Sequence, residues 1–236
     1  MKSVRNTISV LFIVCILACL VGTSYSGEKP DEDAGLAKRS TPASSKPESA
    51  EPQILERLLP LSNSQPRADS DKVTHVVIHF ISNVVAKPDD PYRTEDILGI
   101  FKEYGVSAHY IIARDGTISR LVDETRNAYH AGKGQLDDYP SYTNKLNRHS
   151  IGIEIMAIGT QDEMKQYLSP DKYAAIPSEM IGYTDKQYEA LASLLPGIFE
   201  RHNINVDRTH VIGHDEYSVG RKRDPGSLFD WKRIGF

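Results

Sequence analysis

The residues best suited to chemistry in this chain are two pairs of histidines and a polar loop near the C-terminus. His75 and His79 have the spacing H-x-x-x-H. His210 and His214 have the same spacing, and Asp224 lies in the loop that follows them, within HVIGHDEYSVGRKRDPGSLFDW. Imidazole nitrogens and carboxylate oxygens are typical ligands of catalytic zinc, which takes three protein ligands and keeps one position open. A metal site and an ordinary polar surface loop are both consistent with this stretch.

The histidine spacing means something different on a strand than on a helix. KVTHVVIHF (72–80) and THVIGH (209–214) are short runs rich in β-branched residues, so both pairs are expected on strands. Side chains four residues apart on a strand lie about 13 Å apart, so neither pair can hold one ion by itself. Loops begin at the C-terminal end of each strand, which makes His79 and His214 the candidates. For a histidine taken alone, a structural or surface role is the better interpretation.

Glu154 is a second unusual residue, because it lies in the apolar segment HSIGIEIMAIG (149–159). The isoleucines of this predicted strand alternate and are expected to pack on helices, whereas Gly152 and Glu154 share the opposite face. A carboxylate in an apolar strand is costly unless it is paired or used in chemistry. On this strand alone, a salt-bridged glutamate and a functional glutamate are equally good interpretations.

The elements around these residues indicate an α/β domain. A hairpin is predicted over 107–122, where two strands flank the turn signal Asp115-Gly116. Amphipathic helices are predicted over 94–105 and 184–203. Helices between strands predict a single domain with a central mixed β-sheet flanked by helices.

The first part of the chain differs in composition from the predicted domain. A charged start and the apolar run 8–21 predict a secretory signal over residues 1–26. Residues 27–68 are rich in Ser, Pro, Glu, Lys and Ala, which predicts a disordered linker. Only ILERLLP (54–60) is apolar there, and a short helix on the domain surface is expected. The domain is therefore predicted to span residues 69–236.

The predicted signal leaves two outcomes after export. Cys15 and Cys19, the only cysteines, both lie inside it, so a chain cleaved after the signal has no disulfide and no cysteine ligand. ILAC, ending at Cys19, resembles a bacterial lipobox, whereas Ser24 and Ser26 offer a competing cleavage site. The protein is expected to be exported, either as a secreted protein or as an envelope-associated lipoprotein anchored through Cys19.

Several stretches in a fixed order resemble one family. They are VVIHF, VSAHYIIARDGTI, YHAG, NRHSIGIEI and VIGHDEYSVGRKRDPGSLFDW. Together, over about 72–232, they resemble the zinc-dependent N-acetylmuramoyl-L-alanine amidases of the Amidase_2 type, in the superfamily that includes the peptidoglycan-recognition proteins. The resemblance implies a peptidoglycan-amidase-like domain. It implies hydrolysis of the amide bond between N-acetylmuramic acid and L-alanine in peptidoglycan or muropeptides.

The resemblance also implies roles for individual residues. It implies one Zn²⁺ per chain, with the ligands His79, His214 and Asp224. It implies that Glu154 is the general base and that Lys222 stabilises the oxyanion. His130, in YHAG, resembles a substrate-contacting position, although a structural hydrogen bond is nearly as good an interpretation. Ala108 stands where the phage lysozymes of the family have a catalytic tyrosine, which leaves proton transfer to Glu154.

Other functions are less consistent with the chain. The main alternative is a non-catalytic peptidoglycan-binding module of the recognition-protein type. Non-catalytic relatives typically lack a ligand, whereas this chain has all three ligand positions together with Glu154 and Lys222, which favours hydrolysis. The ordered motifs disfavour an unrelated metalloprotein. A net charge of −4 without a basic cluster argues against nucleic-acid binding, and no protein partner is implied.

Overall fold

The computed structural model describes residues 52–236. The predicted signal, residues 1–26, and the predicted linker as far as residue 51 lie outside the described residues. Over residues 52–236, no helix has the length and apolar character needed to cross a membrane.

The described residues form eight strands and five α-helices. The strands are β1 (Ile54–Glu56), β2 (Ser64–Pro66), β3 (His75–Ile81), β4 (Tyr110–Ile112), β5 (Ile118–Arg120), β6 (Arg126–Ala128), β7 (Ser150–Met156) and β8 (Val211–Gly213). The helices are α1 (Thr94–Tyr104), α2 (Gln161–Met164), α3 (Pro170–Ala174), α4 (Asp185–His202) and α5 (His214–Tyr217). Short 3-10 turns lie at Leu61–Asn63, Pro140–Tyr142, Leu146–Arg148, Ser178–Met180 and Trp231–Ile234.

The larger sheet has six strands in the order β1-β5-β4-β7-β3-β8. All of its neighbouring pairs are parallel except the hairpin of β4 and β5. The hairpin turns at Asp115-Gly116, where Gly116 has a φ of 86°, a value that favours glycine. β2 and β6 form a separate antiparallel pair. The prediction of a central mixed sheet is therefore confirmed.

Helix α4 covers one face of this sheet. It begins with a capping box, in which the Thr184 side chain accepts from the Gln187 backbone N–H and the Gln187 side chain accepts from the Thr184 N–H. The isoleucines of β7 pack against its apolar stripe. Ile151, Ile153 and Ile155 are at most 1% exposed, and full burial of such a side chain contributes about 1.5–3 kcal/mol.

The opposite face of the sheet is covered in two places. Helix α1 packs Phe101 and its neighbours against Ile111 and Met156. A second cluster brings Val77 of β3 together with Tyr217 of α5. Because side chains alternate along a strand, the histidines of β3 and Glu154 of β7 point to this second face. His79 and Glu154 therefore lie on the face of the sheet opposite α4.

The predicted linker is wrong in its last part, because residues 52–68 belong to the domain. ILERLLP does not form a helix: Ile54–Glu56 is strand β1, which pairs in parallel with β5. The buried Asn63 side chain donates to the carbonyls of Phe101 and Val106 at 2.7 and 2.9 Å. Residues 52–68 are held by backbone pairing with β5 and by the hydrogen bonds of the buried Asn63 side chain. The composition of the segment indicates neither of these interactions.

Candidate active site

Three side chains predicted as ligands meet at the ends of neighbouring strands. His79 lies near the end of β3, and His214 is the first residue of α5, directly after β8. Asp224 reaches the same place from the following loop. The two Nδ1 atoms are 3.0 Å apart, and Asp224 Oδ2 is 2.8 Å from His79 Nδ1 and 2.9 Å from His214 Nδ1. Among the described residues, these three form the group of His, Cys, Asp and Glu side chains that is close enough to hold a metal ion.

The orientation of His214 is set by a backbone carbonyl. Its Nε2 lies 2.8 Å from the oxygen of Ala131, which can only accept a hydrogen bond. The proton of a neutral imidazole must therefore be on Nε2. Nδ1 then presents a lone pair to His79 and Asp224, as a metal ligand requires.

A chain of hydrogen bonds sets the orientation of His79 in the same way. The Ser150 hydroxyl donates to the carbonyl of Leu146 at 2.6 Å, and its oxygen lies 3.1 Å from His130 Nε2. His130 therefore donates from Nε2 and accepts at Nδ1, which is 3.0 Å from His79 Nε2. With the proton of His79 on Nε2, its Nδ1 also presents a lone pair.

The three inward-facing atoms therefore suit a cation. Two imidazole lone pairs and a carboxylate oxygen within 3.0 Å of one another have no proton to share when both rings are neutral. Burial lowers the pKa of His79 to about 4, and the neighbouring His214 adds to this effect. Burial alone would raise the pKa of Asp224, but the adjacent His214 and His79 side chains hold it well below its usual range. Two nitrogens and one oxygen are a donor set that zinc accepts.

Glu154 lies beside this group and has an unused oxygen. Its Cα is the direct partner of His79 across the β3–β7 pair. Glu154 Oε2 is buried and has no hydrogen-bond partner among the described residues. Burial, and then the charge of Asp224, raise the pKa of Glu154 well above its usual range, while the charge of Lys222 opposes this rise. The predicted role of Lys222 at the oxyanion stays a prediction.

His130 lies beside the group and is half-buried. Its ring fills the space over Gly152, where an added Cβ would be 2.4 Å from His130 Cγ. Both of its ring nitrogens face protein partners, His79 and Ser150. His130 therefore lies at the site, but both of its ring nitrogens are engaged by protein side chains. The predicted substrate contact stays a prediction.

His75 and His210, the other histidine of each pair, lie apart from this group. His75 packs edge-on against Tyr139 with ring centroids 4.7 Å apart. The Tyr139 hydroxyl and His210 Nε2 are 2.9 Å apart, and His210 Nδ1 is 2.7 Å from Asp207. His75 and His210, the first histidine of each pair, therefore lie at a different part of the sheet from His79 and His214, as the strand spacing predicts.

Sequence reasoning missed the groups that orient the ligands. The carbonyls of Ala131 and Leu146 carry no side-chain signal, so no motif could reveal them. Ser150 does carry a weak signal, because it shares a strand face with Gly152 and Glu154. Gly152 leaves room on this face of the strand. In the structure the ring of His130 fills that room and contacts the Ser150 hydroxyl.

Comparison with known proteins decides the family. The sequence model of Amidase_2, described as N-acetylmuramoyl-L-alanine amidase, matches residues 69–227. The chain belongs to this family. The prediction that it is an amidase of this class is therefore confirmed, together with the peptidoglycan-amidase-like fold.

Relatives with related names match most of the amidase-family domain. The 1,6-anhydro-N-acetylmuramyl-L-alanine amidase AmpD of Salmonella typhimurium is 29% identical over 189 residues, which are 75% of this chain and 87% of the relative. AmpD of Escherichia coli K12 is also 29% identical and is covered over 89% of its length. The N-acetylmuramoyl-L-alanine amidase AmiD of the same organism is 28% identical, and the match spans 55% of its length.

Solved structures agree with these relatives. A selenomethionine derivative of AmpD superposes with a TM-score of 0.55 at 26% identity, covering 76% of this chain and 92% of AmpD. AmpDh3 from Pseudomonas aeruginosa, in complex with an anhydromuramic pentapeptide, gives a TM-score of 0.51 at 25% identity. It is covered over 58% of its length and matches 69% of this chain.

Proposed function

We propose that this amidase is zinc-dependent and cleaves the bond between the lactyl group of N-acetylmuramic acid and L-alanine in peptidoglycan or its fragments. The observation that carries the proposal is the meeting of His79, His214 and Asp224 beside the unpartnered oxygen of Glu154. A site that only bound a glycopeptide would not need a buried carboxylate without a partner.

The residues of the site have separate tasks in amide hydrolysis. Zinc held by His79, His214 and Asp224 would lower the pKa of a bound water to about 7 and polarise the carbonyl oxygen of the scissile amide. Glu154 accepts the proton of the attacking water and passes it to the nitrogen of the leaving L-alanine. Lys222 places a positive charge where the carbonyl oxygen becomes an oxyanion. The pairing of Glu154 with His79 across β3 and β7 supports the role of Glu154, and the role of Lys222 is part of the proposal.

The names of the relatives support glycopeptides as substrates. AmpD is named for a 1,6-anhydro-N-acetylmuramyl compound, and AmpDh3 was solved with an anhydromuramic pentapeptide. We therefore propose that fragments carrying an anhydromuramyl end are accepted. Intact cell-wall peptidoglycan is the second substrate to test, because the site alone does not separate the two.

Product analysis tests this function directly. The purified protein is incubated with an anhydro-N-acetylmuramyl peptide, and the products are identified by mass spectrometry. We expect the free peptide and the free sugar, loss of both after removal of zinc with a chelator, and recovery when zinc is added. Full activity in thoroughly metal-free protein would contradict zinc dependence. Binding of the substrate by zinc-loaded protein without any cleavage would favour the non-catalytic binding module.

We further propose that the protein is exported, as a secreted enzyme or as a lipoprotein anchored through Cys19. The charged start and apolar run of residues 1–26 support this. Cell fractionation and N-terminal sequencing of the mature chain test it. A lipoprotein should begin at Cys19 and leave the membrane fraction when Cys19 is replaced by Ala. An unprocessed chain in the cytoplasmic fraction would contradict export.

A further inference from the structure

The connection between β7 and α4, residues 157–184, contacts the loop that carries Asp224. It contains α2 and α3 and packs around an apolar cluster of Ile158, Met164, Leu168 and Ile176, which it shares with Val84. The connection is therefore a small packed unit rather than an open loop. A packed unit can hold a neighbouring segment in place, whereas a mobile loop cannot.

Glu163 makes the first contact between the two segments. Its Oε2 accepts from the Thr160 backbone N–H at 2.7 Å, which caps α2 within the connection. Its Oε1 accepts from the Ser227 backbone N–H at 2.7 Å, three residues beyond Asp224. A Cβ added to Gly226, whose φ is 75°, would lie 2.7 Å from the Glu163 carboxylate. The chain thus approaches this carboxylate at a position that favours glycine.

Tyr183 makes a second contact at the other end of the connection. Its hydroxyl donates to the carbonyl of Pro225 at 2.7 Å. Its ring packs edge-on against Phe229, with ring centroids 5.1 Å apart. The residues on both sides of Gly226 are therefore bonded to the connection, directly after the predicted ligand.

We propose that Glu163 and Tyr183 are positioning residues that hold residues 225–227 so that Asp224 faces the two histidines. The proposal rests on the proposed zinc site. The Asp224 carbonyl also accepts from the Asp215 N–H at 2.9 Å, which fixes the backbone on the other side. Asp224 is thus held from both sides, and its carboxylate needs little reordering to bind a cation. Groups that orient metal ligands change metal affinity by about 10–100-fold when removed.

Glu163→Gln and Tyr183→Phe test this proposal with small changes of shape. The glutamine side chain has one acceptor oxygen and one NH₂ donor. It can therefore accept from only one of the two backbone N–H groups, and its NH₂ group faces the other, which is also a donor. The phenylalanine keeps the ring and removes only the hydroxyl bond to Pro225. We expect each variant to bind zinc about tenfold more weakly in competition with a chelator. We expect the double variant to bind zinc more weakly than either single variant.

Two matched controls lie in the same connection. Asp162 is the neighbour of Glu163 in the chain, and its carboxylate pairs with Lys165 on the surface. Asp162→Asn is therefore the first control. Tyr173→Phe removes a hydroxyl that donates to Gly159 at 2.8 Å, inside the connection itself. Both controls should keep the zinc affinity of the wild type. An equal loss of affinity in Tyr173→Phe and Tyr183→Phe would show that only the general stability of the connection matters, which would overturn the proposal.

Amide hydrogen exchange in metal-free protein gives a readout that does not depend on zinc. Faster exchange at the Ser227 N–H is expected in Glu163→Gln and not in Asp162→Asn. Unchanged exchange together with unchanged zinc affinity would overturn the positioning role. If the wild type itself bound no zinc, the proposed function would fail, while the exchange rates would still report whether Glu163 holds the loop.

Discussion

The carboxylate of Glu154 is the group whose loss should separate catalysis from folding. Its unpartnered Oε2 makes no bond that stabilises the fold within residues 52–236. Glu154→Gln keeps the shape of the side chain and removes the base. We expect a folded, zinc-loaded variant that still binds peptidoglycan and hydrolyses it about 10²- to 10⁴-fold more slowly. Product formation followed by mass spectrometry, with the zinc content measured in the same samples, checks this.

A suitable control is Glu56→Gln, which removes an exposed partner of Arg120 at the edge of the sheet. It should leave the rate of hydrolysis unchanged. Cleavage by Glu154→Gln at close to the wild-type rate would assign the base to another residue. Loss of zinc or of folding in that variant would make Glu154 a structural residue.

His130 has two competing roles that a single variant can separate. If it orients His79, His130→Gln should weaken zinc binding by about 10–100-fold. If it contacts substrate instead, the variant should keep its zinc and show a higher KM. The hydrogen-bond chain from Leu146 through Ser150 favours the first outcome. Chelator competition and steady-state kinetics on zinc-saturated protein measure the two effects independently.

His149→Gln is the matched control, because His149 Nδ1 contacts the carbonyl of Lys72, away from the ligands. It should keep wild-type zinc affinity and KM. Ser150→Ala should weaken zinc binding in the same direction as His130→Gln, since the proton on His130 Nε2 then has no acceptor. Wild-type zinc affinity in both variants at His130 and Ser150 would contradict the orienting role.

The side chains of the site were easier to predict than the groups that arrange them. Strand spacing and the position of loops at the C-terminal ends of strands selected His79 and His214, and the cost of a carboxylate in an apolar strand singled out Glu154. The roles of Lys222 and Asp224 came from the resemblance, because a loop has no periodicity to argue from. The bonds from Glu163 and Tyr183 run to backbone atoms of residues distant in sequence, so local patterns could not reveal them.

The geometry of β3 and β8 predicts that the first histidine of each pair, His75 or His210, does not bind the metal. Burial lowers the pKa of His75 to about 4, with His210 adding to the effect, so His75 is neutral and serves as packing. His75→Gln and His210→Gln should each keep one zinc per chain, as measured by metal analysis. His75→Gln should reduce the free energy of unfolding by about 1–3 kcal/mol, because its site is fully buried. Loss of zinc in either folded variant would contradict the strand geometry.

Strand β1 shows why an edge element escaped prediction from sequence. It has three residues, and none of them is fully buried, so the apolar pattern is too short to indicate a strand. What orders it is parallel pairing with β5, which places Ile54 opposite Ile118. The long, strongly periodic elements, β7 and α4, were predicted within a few residues because their own side chains form the core.

A network centred on Glu124 joins strand β4 to helix α4. Its carboxylate accepts from Tyr110 of β4 at 2.7 Å and from Arg201 of α4 at 2.8 and 3.0 Å. His202 Nε2 lies 2.7 Å from the same group. Burial alone would raise the pKa of Glu124, but these bonds from His202, Arg201 and Tyr110 hold it well below its usual range. The network therefore joins α4 to the sheet through an ionised carboxylate.

Glu124→Gln should make the free energy of unfolding less sensitive to acid. The wild-type carboxylate contributes stability that is fully present above the unfolded-state pKa of about 4.3 and is lost as the pH falls towards its lower folded-state pKa. The wild type should exceed the variant by about 1.5–3 kcal/mol at pH 7, and the difference should shrink below about pH 4. Urea unfolding of metal-free protein between about pH 7 and pH 3 measures it, with Glu56→Gln as a surface control that should change stability by less than about 1 kcal/mol. A difference that stayed constant with pH would show that Glu124 contributes through shape rather than charge.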